Sequence, residues 1–207
     1  MTDFKEIIRE AVWFLVLLLI IFIYCEPNKY KIPQEEPIKD EIFSIISTID
    51  LKDPKNFYSI PEIEKLGEKH ISILQELIES KSVSERWAAV VLLPIVLREN
   101  KKATNEIVIP ALKKRIGEEN DSLRMLVGAQ LVSLGEKEGL KVLISCLDSE
   151  RPTNFGQSLE FVKDRALVYL QYYTNYKGKT IKEWQKWWEE NKDFLLWNKE
   201  KQIFEIK

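Results

Sequence analysis

From residue 38 onward, apolar residues recur at three- and four-residue intervals and are interrupted by short polar breaks. Ile38, Ile42, Ile45, Ile46 and Ile49 keep helical spacing until Asp50 to Asn56 ends the pattern around Pro54. Ile63, Leu66, His70, Ile73, Leu74 and Leu77 form the next stripe. Continued to the C-terminus, the pattern predicts four helical hairpins: 38–50 with 61–79, 84–98 with 104–117, 122–134 with 138–148, and 158–173 with 181–192. No segment alternates apolar and polar residues long enough to predict a strand, so the expected class is all-α. Ser59 with Glu62, Ser82 with Glu85 and Thr180 with Glu183 have capping-box spacing. In each pair the hydroxyl is expected to accept a free backbone N–H while the carboxylate reaches back.

Before this array the periodicity disappears. Ala11 to Cys25 carries no charge, and Ile7 and Ile8 extend its apolar character. A bilayer span takes about 20 residues, with about 17 as the lower range, so this segment is short for one. The flanking charges, Lys5 and Arg9 before it and Lys29 and Lys31 after it, nearly balance. The first expectation is a retained single-pass anchor from Ala11 to Tyr24, with the following domain on the extracytoplasmic (periplasmic) side. A lipoprotein acylated at Cys25 is the second, and a cleaved signal peptide and a buried core helix are the remaining alternatives. Tyr24 stands where a lipobox or a cleavage site has a small residue. The segment 26–37, EPNKYKIPQEEP, holds three prolines and reads as a tether. The expected organisation is therefore an anchor over 1–25, a tether over 26–37 and a helical domain over 38–207.

Within the domain, Asp121-Ser122-Leu123-Arg124, followed by Val127, Leu131, Leu134 and Gly135, resembles the first helix of a HEAT repeat. Leu140 to Leu147 would be its second helix. The preceding unit is similar, with Val83 and Arg86 before WAAVVLL and Ile109-Pro110-Ala111-Leu112 in its second helix. Arg86 to Arg124 is 38 residues and Arg124 to Arg165 is 41, against a HEAT-type period of about 40. The resemblance spans about residues 80 to 175. It implies an α-solenoid of stacked hairpins used mostly for protein–protein binding. A bend at Pro94 is in keeping with it.

Trp184, Trp187 and Trp188 lie at i, i+3 and i+4, with Phe194, Leu195 and Trp197 after them. They are expected to form a structural cap on the last apolar face of the array. The alternative is a sugar- or membrane-surface platform.

Charge adds little. Acids exceed bases by 33 to 31 over the chain, and no clustered basic excess marks a nucleic-acid binder. Cys25 and Cys146 are too few for a disulfide framework or a zinc site, and Cys146 reads as a core residue. The single histidine, His70, falls on an apolar stripe and reads as a satisfied core side chain rather than a general base. Ser158, in GQSL, lacks the closing glycine of a nucleophile elbow. Gly135 and Gly139 bracket a turn, and the adjacent acids Glu35-Glu36, Glu118-Glu119 and Glu189-Glu190 read as solvated surface.

With no catalytic, metal-binding or cofactor residues to name, the expected function is a non-catalytic scaffold for an unidentified protein partner, on a monomeric domain. The alternatives are an envelope-surface module using the Trp-rich end and a HEAT-like enzyme of unknown chemistry. The expected contact surface is the ridge of second helices carrying Lys113 and Lys141, flanked by the loop Asp148 to Gln157 with Phe155.

Overall fold

The structure is a computed structural model that describes residues 35–47, 66–153 and 160–207. Among these, helices are α1 (Glu35–Ser47), α2 (Glu68–Leu77), α3 (Val83–Val96), α4 (101–113), α5 (Asp121–Ser133), α6 (Glu138–Ser145), α7 (Val162–Thr174) and α8 (Ile181–Asn191). The anchor segment, Cys25, the Ser59–Glu62 pair, Phe155 and Ser158 lie outside the described residues. No described helix is long and apolar enough to cross a membrane.

The mostly helical character follows from burial. α3 is apolar nearly all round, and Ala88 to Leu93 are completely buried. α5 is likewise buried at Leu123, from Met125 through Val127, and again at Ala129, Leu131 and Val132. Such helices are stable only with neighbours on every side, and they have them. α2 packs on α3, α3 on α5, and α5 on both α6 and α7. The helices around them show one buried stripe each, as at Leu140, Leu143 and Ile144 of α6.

Glycine sets the closest approach. A Cβ on Gly139 would stand 2.5 Å from the Gly128 carbonyl oxygen and 2.8 Å from Val132 Cγ2, so α5 and α6 meet backbone to backbone. Gly135, at φ +86°, ends α5 beneath the Trp197 ring, whose Cδ1 would be 2.8 Å from an added Cβ. These two glycines do more than bracket a turn.

Several boundaries differ from expectation. α1 starts at Glu35, inside the predicted tether, because Pro37 sits in the first turn, where a missing N–H costs no intrahelical bond. α2 starts at Glu68 rather than near residue 61. Gly67 is extended there, and its N–H donates to Nδ1 of His70 at 2.9 Å. α4 starts early, at Lys101, because Asn100 Oδ1 accepts from Ala103 N–H at 3.0 Å. It contains a π-turn, Thr104–Val108, just before Pro110. A proline in an α-helix leaves the carbonyl four residues back without its donor and clashes with it. The wider turn carries the chain past that position, and Ile109 N–H donates to the Thr104 carbonyl instead.

The largest difference is at the end of the chain, which is not helical. Leu195–Asn198 (β1) pairs antiparallel with Ile203–Ile206 (β2), setting Trp197 opposite Phe204. Leu195 and Phe204 are buried, and β2 packs on α7. Asn198 makes the turn, its Oδ1 accepting from the Glu200 and Lys201 N–H groups at 3.1 Å each. Two four-residue strands are too short for their alternation to stand out in the sequence.

Candidate functional site

Three arginines organise one edge of the fold. Arg86, Arg124 and Arg165 are each the fourth residue of their helix, in α3, α5 and α7. Each reaches back across five or six residues to the turn that enters the helix. Arg86 Nη1 donates to the carbonyls of Ser80 and Lys81, both at 2.9 Å. Arg124 Nη1 donates to the Glu118 carbonyl at 2.9 Å. Arg165 donates through Nε at 3.1 Å and Nη2 at 2.5 Å to the carboxylate of Glu160. A cation in the first turn opposes the helix macrodipole, and each arginine has a carboxylate beside it: Glu118, Asp121 and Glu160.

Glu118 serves two of these latches. Its carboxylate takes a bidentate fork from Arg86, Nη2 to Oε1 at 2.6 Å and Nε to Oε2 at 3.0 Å. Its main-chain carbonyl accepts from Arg124. Glu118 is therefore buried, whereas adjacent acids read as solvated surface; only Glu119 remains exposed. The side chains do point apart, but one of them points inward.

Asp121 has a similarly dense setting. Burial raises its pKa, but the Ser149 hydroxyl at 2.5 Å and Arg124 outweigh that and leave it below the usual aspartate value. Cys146 lies nearby in the core, and burial pushes its thiol up, which suits an inert core residue.

Of the expected contact ridge, Lys113 and Lys141 are both exposed. Lys113 is tied down, its Nζ lying 2.7 Å from Glu136 Oε2 and 3.7 Å from Glu138 Oε2. The hydrogen bond that Lys113 donates to the Glu136 carboxylate raises the Lys113 pKa. The loop that was to flank the pair is described only as far as Thr153, with Phe155 beyond it.

The tryptophans divide. Trp184 is completely buried, and its Nε1 donates to the Gly178 carbonyl at 3.1 Å. Trp187 is buried and stacks on Tyr176, with ring centroids 5.4 Å apart. Trp188 alone of the three keeps appreciable exposed area. A surface platform therefore has one of its three rings to work with.

His70 is buried, with both ring nitrogens engaged. Nδ1 accepts from Gly67 N–H, which leaves the proton on Nε2, 2.9 Å from Glu41 Oε2. No group of three or more His, Cys, Asp and Glu side chains able to hold a metal occurs among the described residues.

Two concave features were not legible in the sequence. A groove of about 290 Å³ is lined by Phe43, Ile46, Val83 and Trp87, with Ser84, Asn120 and Ser122 adding polar groups to its walls. It brings α1, α3 and the start of α5 together. A second, polar cleft of about 440 Å³ lies where the turns after α2 and α4 meet, with Arg86 and Glu118 among its walls. The capping boxes also sort out here. Thr180 and Glu183 close fully, Glu183 Oε2 accepting from Lys179 and Thr180 N–H at 2.7 and 3.0 Å. At Ser82 the box is only half formed. Its Oγ accepts from Glu85 N–H, but the Glu85 carboxylate takes the Ser80 hydroxyl instead of reaching back.

No protein family, no curated protein and no solved structure matches the chain.

Proposed function

We propose that this chain is a membrane-tethered, HEAT-like repeat protein whose helical domain holds a partner protein and performs no chemistry of its own. One observation carries the reading: an arginine recurs as the fourth residue of α3, α5 and α7 and folds back onto the preceding turn each time. Such recurrence is expected of a chain built from one supersecondary unit repeated, in which each unit buries its apolar face on the next. The contacts of α3 with α5 and of α5 with α7 support the stacked, solenoid arrangement. Arrays of this kind leave continuous ridges and grooves open to a partner, and the apolar groove beside Trp87 fits that use. The tether reading rests on the uncharged segment Ala11 to Tyr24.

The test is affinity capture from detergent-solubilised membranes, using the full chain and a chain that keeps residues 1–37 but lacks 38–207. A defined set of proteins recovered only with the full chain is the expected result. Identical recovery from both chains would remove the partner-holding role.

A further inference from the structure

The polar cleft is unevenly charged. Its Arg86–Glu118 pair is self-satisfied, two hydrogen bonds deep and buried. Around that pair stand Lys81, Lys114 and Arg115 against Glu79 and Glu119, three cations to two carboxylates. The surplus of one positive charge is not spread evenly, because Glu79 serves two cations at once. It pairs with Nη2 of Arg115 and lies 3.6 Å from Lys114 Nζ.

Arg115 is incompletely met by this arrangement. Its guanidinium is mostly covered, and its Nε–H is buried with no hydrogen-bond partner. Guanidinium and carboxylate match best side by side, with two parallel N–H···O bonds, the geometry Arg86 achieves with Glu118 in the same cleft. Glu79 reaches Arg115 by one nitrogen only, from a side chain that is half exposed. Half-exposed pairs are weak and exchange readily with outside charges.

We infer that this cleft receives a carboxylate from an acidic segment of the partner protein, which displaces Glu79 and takes the Arg115 fork through both Nε–H and Nη2–H. Glu79 is then an internal competitor that fills the place between encounters. A monoanion suits the site better than a phosphate dianion, because Glu79 and Glu119 remain on its walls and the net surplus is a single charge. Gly117, beside Arg115, leaves open space where a side chain would otherwise stand. The inference rests on the partner-holding reading and supplies the chemistry of one contact within it.

The two residues of the exchange make opposite predictions. With the full chain in detergent and a fluorescein-labelled hexaglutamate peptide as probe, anisotropy should report saturable, salt-sensitive binding. Arg115→Gln should weaken it about tenfold, the equivalent of losing about 1.4 kcal/mol. Glu79→Gln, which removes the competitor but no fold contact in the core, should tighten it several-fold. Lys114→Gln, at an exposed position, gives an intermediate loss and guards against a folding artefact at Arg115, as does an unchanged melting temperature.

Absence of peptide binding, unchanged binding by Arg115→Gln, or weakened binding by Glu79→Gln would each overturn the inference. So would displacement of the peptide by inorganic phosphate at matching concentration, which assigns the cleft to a free anion. Partner proteins recovered undiminished by the Arg115→Gln chain would also overturn it, while leaving the partner-holding role intact.

Discussion

Gly139 faces the main chain of Gly128 so closely that a single methyl group on Gly139 would sit 2.5 Å from the Gly128 carbonyl oxygen. The α5–α6 hairpin is closed by that absence of side chains, which lets the two main chains meet directly.

Gly139→Ala is therefore expected to destabilise the domain by about 3 kcal/mol or more, in the range of overpacking a close contact. Gly135→Ala is expected to cost about 1–3 kcal/mol, from its left-handed backbone together with the Trp197 ring above it. Gly117→Ala, with open space around it, should fall within about 1 kcal/mol of the parent and on the stabilising side. Urea unfolding followed by circular dichroism orders the three.

The Arg86–Glu118 pair is buried on both sides. Removing one partner leaves the other charge uncompensated, so Glu118→Ala should cost about 3–5 kcal/mol. The double variant Arg86→Met with Glu118→Leu should recover most of that loss. If the double variant is as unstable as the single one, the pair is not the source of the effect.

Two groups tune stability with pH in opposite directions. Asp121 has a folded pKa below its unfolded value, so its contribution is complete above that unfolded value, about 4. The contribution is lost as pH falls through the folded pKa. Lys113 has a folded pKa above its unfolded value, so its contribution is complete below about pH 10 and is lost as pH rises through the folded pKa. Thermal melts across pH should show Asp121→Asn flattening the acid limb and Lys113→Met flattening the alkaline one. Glu183, held below the usual glutamate range by the Lys179 and Thr180 N–H groups, adds to the acid limb in the same sense as Asp121.

Reversing charge on the expected ridge separates its two lysines. Lys113→Glu puts a third carboxylate beside Glu136 and Glu138 and should cost up to about 1 kcal/mol. Lys141→Glu should stay within about 0.5 kcal/mol. If a chain carrying both changes still recovers its partners in full, this ridge is not where they bind.

Attachment is open to direct test. Protease added to intact spheroplasts should digest the domain, and complete protection would place it on the cytoplasmic side. Cys25→Ser should leave membrane association unchanged for a retained anchor. Loss of both association and labelled fatty acid would establish a lipoprotein instead.

Much of the helical framework was legible because α-helical periodicity is local. The starts at Val83, Asp121 and Ile181 lie within one residue of their predicted positions, and Thr180 caps α8 as its spacing with Glu183 implied. What escaped depends on partners far away in sequence. Nothing adjacent to Glu118 distinguishes it from Glu119, since its burial depends on Arg86, 32 residues earlier. The π-turn answers Pro110, whose missing N–H is the one local sign in 104–117 that a regular α-helix cannot run straight through. The terminal hairpin escaped because four-residue strands carry almost no period. Its one signal was the polar run Asn198 to Gln202 between two apolar clusters. The arginine period was visible at 38 and 41 residues, but the shared carboxylate and carbonyl roles of Glu118 were not.

Those two roles have unequal inheritance. The bond to Arg86 uses the Glu118 side chain, whereas the bond to Arg124 uses a main-chain oxygen that every amino acid supplies. Across divergent homologues, positions 86 and 118 should therefore change in concert. Position 124 should drift without regard to what stands at 118.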